Sequence, residues 1–188
     1  MAGFWSDAEK IEPKRSFRWV FTMGKAAGAD IQSFFVKTVK KPSFTVSEIE
    51  HQYVGHRFYF PGRVTWNPVE VTFVDPGDPD VAATLANIFV LGGYNTPITQ
   101  EVAEKSLSKG LFAQNIGNPF IEALDSEGTT IEEWTLWNTW VTNIDFGQLD
   151  YSSDEMVIIS MSLRYDYATL AKTSTKPLPG ITATNPKP

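Results

Sequence analysis

The sequence predicts a mainly β domain with one packed α-helix and an unusual pair of strands, and three observations predict it. Aromatic residues are abundant, with 13 Phe, 6 Trp and 6 Tyr in 188 residues, and aromatic side chains favour strands. Apolar and polar residues alternate with a period of two through most segments, which puts one set on each face of a strand. A helical stripe bounded by start and stop signals occurs once, in DPGDPDVAATLANIFVLGG.

From the N-terminus, residues 1–14 are mixed in character and end near Pro13, so they read as an arm that needs a partner, with Phe4 and Trp5 as its contacts. Arg15 to Thr22 sets Phe17, Trp19 and Phe21 against Arg18, Val20 and Thr22, a strand pattern. GKAAGAD is a loop. Ser33 to Val39 and Ser43 to Tyr53 both read as extended, but the second has no core face: Phe44, Val46, Glu48 and Glu50 alternate with Thr45, Ser47, Ile49 and His51. A pair of strands without one apolar row projects from the body or binds another chain.

Pro61-Gly62 reads as a turn, followed by a strand with Val69, Val71 and Phe73 opposite Glu70 and Thr72. In the helix, Asp78 stands as the cap, Pro79 as the first helical residue and Gly92-Gly93 as the stop, while Val81, Leu85, Ile88 and Phe89 form the packing stripe. Thr99 to Leu107 permits a helix. Asn118–Leu124 and Thr129–Trp137 flank DSEG as a hairpin, and Met156 to Tyr167 alternates Val157, Ile159, Met161, Leu163 and Tyr165 with Ser160, Ser162 and Arg164. The segment 171–188 is rich in Pro, Thr and Lys and reads as a flexible tail, which leaves 15–170 as one domain.

Composition excludes several function classes. The net charge is −6 and Lys40-Lys41 is the only basic cluster, which argues against a protein that grips phosphates. With no Cys there is neither a disulfide framework nor a thiolate nucleophile. The opening MAGFWSDAEKIEPKR has no continuous apolar stretch, so neither a signal peptide nor a transmembrane segment is read there. His51 and His56 have only Glu48 and Glu50 near them as further metal donors, too few for a site. Asp75, Asp78 and Asp80 lack calcium-loop spacing and suit a turn and cap. Glu132 and Glu133 are adjacent on a strand, point to opposite faces and cannot form a carboxylate couple. Trp134, Trp137 and Trp140 suit a core or interface better than stacking on bases. No nucleophile motif or phosphate-cradling loop is present, so neither an enzyme nor a cofactor is expected.

Two longer stretches go further. LDSEGTTIEEWTLWNTWVTNIDFGQLDYSSDEMVIISMSLRYDYA carries Trp134, Leu136, Thr142, Asn143, Gly147, Leu149, Asp150, Tyr151, Ser153, Asp154, Glu155, Leu163, Tyr165 and Asp166. That order resembles the end of the tail tube proteins of contractile-tailed, T4-like bacteriophages. KKPSFTVSEIEHQYVGHRFYFPGRVTWNPVEVTFVD is similar to the hairpin, aromatic run and PGR-type strand of the same family. The arm and the Pro-rich tail have no counterpart there.

The resemblance implies a tube-type β-sandwich or barrel with one flanking helix and a projecting hairpin, and no catalysis. It implies homo-hexameric rings stacked into a tube inside a sheath, meeting a baseplate or tube initiator and a tape-measure protein, with DNA passing through unbound. The chain would then belong to a virion tail assembled in the host cytoplasm, without a membrane. The ring-stacking contacts it implies are Phe44, Val46, Glu48, Ile49, Tyr53, Phe58 and Phe60. Strand alternation supplies the positions facing the lumen: Glu70, Thr72, Glu133, Thr135, Ser160 and Ser162. The alternatives are the tube of an injection device or type VI secretion system, a ligand-binding β-barrel, and a hydrolase using His51 or His56.

Overall fold

The computed structural model describes residues 13–23, 33–95 and 106–171. The arm through residue 12, with Phe4 and Trp5, the GKAAGAD loop, most of Thr99–Leu107 and the tail from residue 172 lie outside the described residues. Among the described residues, ten strands occupy two four-stranded sheets and a separate hairpin. They are β1 (Trp19–Thr22), β2 (Val36–Val39), β3 (Phe44–Tyr53), β4 (His56–Trp66), β5 (Val69–Val74), β6 (Phe120–Leu124), β7 (Thr130–Trp137), β8 (Trp140–Asp145), β9 (Ile158–Arg164) and β10 (Tyr167–Ala171). One sheet runs β1-β6-β7-β10 and the other β2-β5-β9-β8, with antiparallel pairing throughout.

Alternation places the core as the sequence predicts. Phe21, Ile121 and Leu136 point inward from the first sheet and Val69, Val71, Phe73, Ile159, Met161 and Leu163 from the second, all within one buried cluster. Four connections pass between the two sheets, and two of them are short, a first between Trp137 and Trp140 and a second between Arg164 and Tyr167. The second crossing is tied to the first by Asp166, whose backbone N–H donates to Trp137 O at 3.0 Å and whose carboxylate accepts from Asn138 Nδ2 at 2.9 Å and Lys109 Nζ at 2.5 Å.

Helix α1 (Val81–Leu91) buries Val81, Leu85 and Ile88 in the same core. Its cap is Asp80, not Asp78: the Asp80 carboxylate accepts from Ala83 N at 2.8 Å, and Pro79 stays in the preceding turn. Asp75 also accepts from the first turn, from Ala82 N at 3.2 Å, so this acidic run terminates a strand and starts a helix. The sequence shows one clear helix, but the described residues hold a second, α2 (Lys109–Ile116). It buries Phe112 and Ile116, and the Phe112 ring meets Phe89 edge-on at 6.0 Å. Gly92 makes that approach possible, because a Cβ there would stand 2.5 Å from the Phe112 ring.

Two further expectations are corrected. The first strand is shorter than predicted, and Phe17 is exposed ahead of it. Pro61-Gly62 is not a turn. It lies inside β4, and the hairpin turns instead at Val54-Gly55.

Candidate assembly surfaces

β3 and β4, ten and eleven residues long, pair only with each other. All of β3 is exposed, and β4 is exposed except at Gly62 and Trp66. Phe44, Val46, Ile49, Tyr53, Phe58 and Phe60 each keep about half or more of their surface in water, between 48% and 67%. Glu48 is exposed in the same strand. The hairpin therefore projects, and all seven residues expected to stack rings stand on it.

Its root is fixed by aromatic contact. Phe44 meets Trp66 edge-on at 5.2 Å, Trp66 lies 5.9 Å from the buried Tyr165, and Asn67 N donates to Ser43 O at 2.8 Å. Halfway along is a β-bulge: Val46 pairs with Val64 but Glu48 with Pro61, so β4 carries an extra residue there. Ser47 holds the bulge by accepting from Arg63 N at 2.8 Å. Gly62 has to be glycine there, because a Cβ would lie 2.3 Å from Ser47 Oγ and 2.9 Å from its carbonyl oxygen.

The six residues expected to face a lumen do not share one surface. Glu70 pairs with Ser162 and Thr72 with Ser160 on the outer face of the second sheet. That face also holds Asn143, opposite Ser162, and Asp145, opposite Ser160, while Thr38 Oγ1 lies 2.5 Å from Thr72 Oγ1. Glu133 and Thr135 belong to β7, on the outer face of the first sheet, across the core from the other four. Alternation along single strands cannot show which sheet a strand joins. The helix residues gather as expected, with Leu85 and Ile88 buried and Phe89 packed beside them.

Glu132 is a feature the sequence reading missed as a contact. It points inward from β7, is 8% exposed, and accepts from Lys14 Nζ, from Lys41 Nζ at 2.7 Å and from Trp134 Nε1 at 2.7 Å. Burial alone would push its pKa up, but the hydrogen bonds from Lys14, Lys41 and Trp134 outweigh that and hold it at about 2. One carboxylate thus fastens the start of the described chain and the entry to the hairpin onto the first sheet. The only sequence signal is a charged residue at an inward position of an alternating strand.

His51 and His56 sit on the exposed hairpin, Trp134 and Trp140 pack against the core, and Trp137 stacks on Tyr167 at 5.9 Å. Among the described residues no group of three or more His, Cys, Asp or Glu could hold a metal ion. Among them, too, no helix is long and apolar enough to cross a membrane.

Residues 100–169 match the family model of the T4-like virus tail tube protein gp19. This segment is similar to the T4-like tail tube family. It comprises α2, the β6–β7 hairpin and both short sheet crossings, including aromatic and acidic positions of the C-terminal stretch on which the resemblance rests. The whole fold is similar to chains of assembled tails. One, in the cryo-EM structure of the anti-feeding prophage baseplate, aligns with a TM-score of 0.61 at 18% identity over 86% of this chain and 97% of that one. Another, in the sheath–tube complex of an extracellular contractile injection system in its extended state, aligns with a TM-score of 0.61 at 15% identity over 92% and 99%. A third, from the tube-terminating cap of the anti-feeding prophage, aligns with a TM-score of 0.61 at 16% identity over 86% and 93%. No curated protein matches the chain. The fold likeness therefore extends beyond residues 100–169 to the N-terminal half of the chain.

Proposed function

We propose that the chain is a structural tube subunit of a contractile tail, forming six-membered rings that stack head to tail around a lumen through which DNA passes. The carrying observation is the contrast between a closed, well-packed body and a long hairpin whose large apolar side chains face water. A two-stranded hairpin is marginal alone, and contiguous exposed apolar surface marks a contact site. A contact repeated from ring to ring by a heterologous interface gives it a permanent partner. The family match of residues 100–169 supports the same reading.

In this reading the outer face of the second sheet, with Glu70, Thr72, Ser160 and Ser162, forms the wall of the lumen. Hydroxyls and carboxylates there give a polyanion little to hold, since phosphate affinity comes from Lys and Arg. The sheath surrounds the tube, and the baseplate and tape-measure protein meet its ends and interior. No residue is assigned a catalytic role.

The alternative, a tube carrying protein in an injection device, is favoured by the fold likeness to chains of two such devices. Genes for a capsid and terminase beside this one would decide for the DNA conduit. Negative-stain microscopy and sedimentation of the purified chain test the tube itself. Hollow rods or six-membered rings are expected, and a stable monomer at high concentration overturns the proposal.

A further inference from the structure

Between β8 and β9, residues 146–157 form a loop that holds an open cleft of about 660 Å³. Leu149, Tyr151, Met156, Val157 and Ile158 line it, with Asp150 and Glu155 among them. Leu149 and Met156 are 81% and 67% exposed and Tyr151 entirely so, which leaves the cleft uncovered by the described residues. The loop sets its own form. Gly147, at φ +81°, donates its N–H to Asp145 at 3.0 Å and stands where a Cβ would lie 2.6 Å from the Ile158 carbonyl oxygen. Asp150 accepts from the backbone N–H and the hydroxyl of Ser152 at 2.9 and 2.7 Å, and these bonds lower its pKa and keep it ionised.

From Asp145 to Val157 the charged residues are Asp145, Asp150, Asp154 and Glu155, with no Lys or Arg. An occupant of the cleft must therefore offer apolar groups and positive charge together. Residues 172–188 do so: Lys172, Lys176 and Lys187 are their only charged side chains, and Lys176 runs directly into Pro177-Leu178-Pro179. Proline-rich segments dock against aromatic side chains, here Tyr151, with little loss of chain entropy.

Reach agrees with the chemistry. β8 and β10 both start at the two short crossings that Asp166 ties together, and they end at Asp145 and Ala171. Even strands diverging at right angles, on sheets stacked about 10 Å apart, would bring those ends within about 25 Å of each other. The stretch from Lys172 to Pro179 can span up to about 28 Å. So short a tether gives a millimolar effective concentration, and a contact too weak to form between molecules is populated within one.

We propose that residues 172–188 are the ligand of this cleft, with Pro177-Leu178-Pro179 against Leu149, Tyr151 and Met156, and Lys172 and Lys176 beside Asp150, Asp154 and Glu155 of the same chain. The contact is intramolecular and stands apart from the tube reading. It gives the proline-rich segment, which has no counterpart in the tail tube resemblance, a site on the segment that matches that family.

The test uses the full chain, kept dilute enough to be monomeric and labelled with a nitroxide on Thr182→Cys; the chain has no Cys to interfere. Amide signals of residues 148–156 should lose most of their intensity to the label, and those of β5 should keep theirs. High salt should restore the lost signals, because exposed charge pairs are screened. Lys172→Glu with Lys176→Glu should restore them too, as should Asp154→Lys with Glu155→Lys, and the two pairs of reversals combined should bring the loss back. No loss at the loop, or an equal loss over the whole body, overturns the proposal and leaves the cleft to another protein. Loss that survives either pair of reversals overturns the charge matching. A mixture of unlabelled nitroxide chain with isotope-labelled chain lacking the nitroxide separates the remaining case: loss of signal there would make a second copy the occupant and overturn docking within one chain.

Discussion

The sandwich body and the projecting hairpin are built from the same residue types but use them differently. In the body, alternation is matched across strands: Val71 lies opposite Met161 and Phe73 opposite Ile159, and both pairs are buried in one cluster with α1. In the hairpin, Ile49 lies opposite Phe60 with equally good pairing, yet both stay more than half exposed. Strand pairing is thus common to both regions, and what separates them is a second layer. The body satisfies its own apolar surface, and the hairpin needs another molecule to do so.

The largest expected effect tests this directly. Leu85 is fully buried on the inward stripe of α1, so Leu85→Ala should destabilise the monomer by about 2–5 kcal/mol through lost burial and a residual cavity. Phe60→Ala, the larger truncation, should change monomer stability by less than about 0.5 kcal/mol, as surface substitutions do. Urea unfolding of both variants below the assembly concentration checks the pair. Equal losses would mean that the hairpin shares the cooperative unit of the body.

The same contrast explains what was legible in the sequence. The body could be read because a half-buried strand writes its burial as alternation, visible in Ile159, Met161, Leu163 and Tyr165. The hairpin showed up as an exception, and the sequence could not say where it turned. Pro61-Gly62 reads as a turn by the usual signal, but its glycine is needed for close approach to Ser47 inside a strand. Helix α2 escaped notice because KGLFAQNI is short and buries only Phe112 and Ile116. Its position depends on Gly92, seventeen residues before its start at Lys109, being small enough to take a ring. The polar positions split between the two outer faces because sheet membership is set by partners distant in sequence.

Glu132 joins the two regions, so its removal should have an intermediate effect. Glu132→Gln leaves the two lysines without their counter-charge; both are about half exposed, so the loss should be only about 1–2 kcal/mol. The pH dependence follows from the folded pKa of about 2 against 4.5 for the free group. A carboxylate with a lowered folded pKa stabilises fully above its unfolded pKa, and that stability is lost as pH falls through the folded one. The melting-temperature gap between wild type and Glu132→Gln should therefore be constant above about pH 5.5 and close progressively toward pH 2. A gap that widens on acidification would place the stabilising interactions elsewhere.

Gly62→Ala should act on the hairpin alone. The added Cβ would meet Ser47 through its backbone as well as its hydroxyl, so the bulge has to shift, at a local cost of about 1 kcal/mol. Amide exchange should quicken from Ser47 to Arg63 in this variant and stay unchanged in β5 and β9. Protection lost in β5 as well would show that the bulge is coupled to the body.

The smallest effect is expected at Arg57. Its Nε lies 3.4 Å from Glu50, with the two side chains 61% and 41% exposed, so water and salt screen the attraction and holding two long side chains together costs entropy. Arg57→Ala should shift monomer stability by less than about 0.5 kcal/mol, with no dependence on salt between low and physiological ionic strength. The pair lies on the face of the hairpin away from Ile49 and Phe60, so tube formation should also persist in this variant while it fails when Phe58 and Phe60 are replaced. Denaturant titration at two salt concentrations, with microscopy of the assembled product, measures both. A loss of assembly from Arg57→Ala as complete as that from replacing Phe58 and Phe60 would mean that both faces of the hairpin are occupied in the assembly.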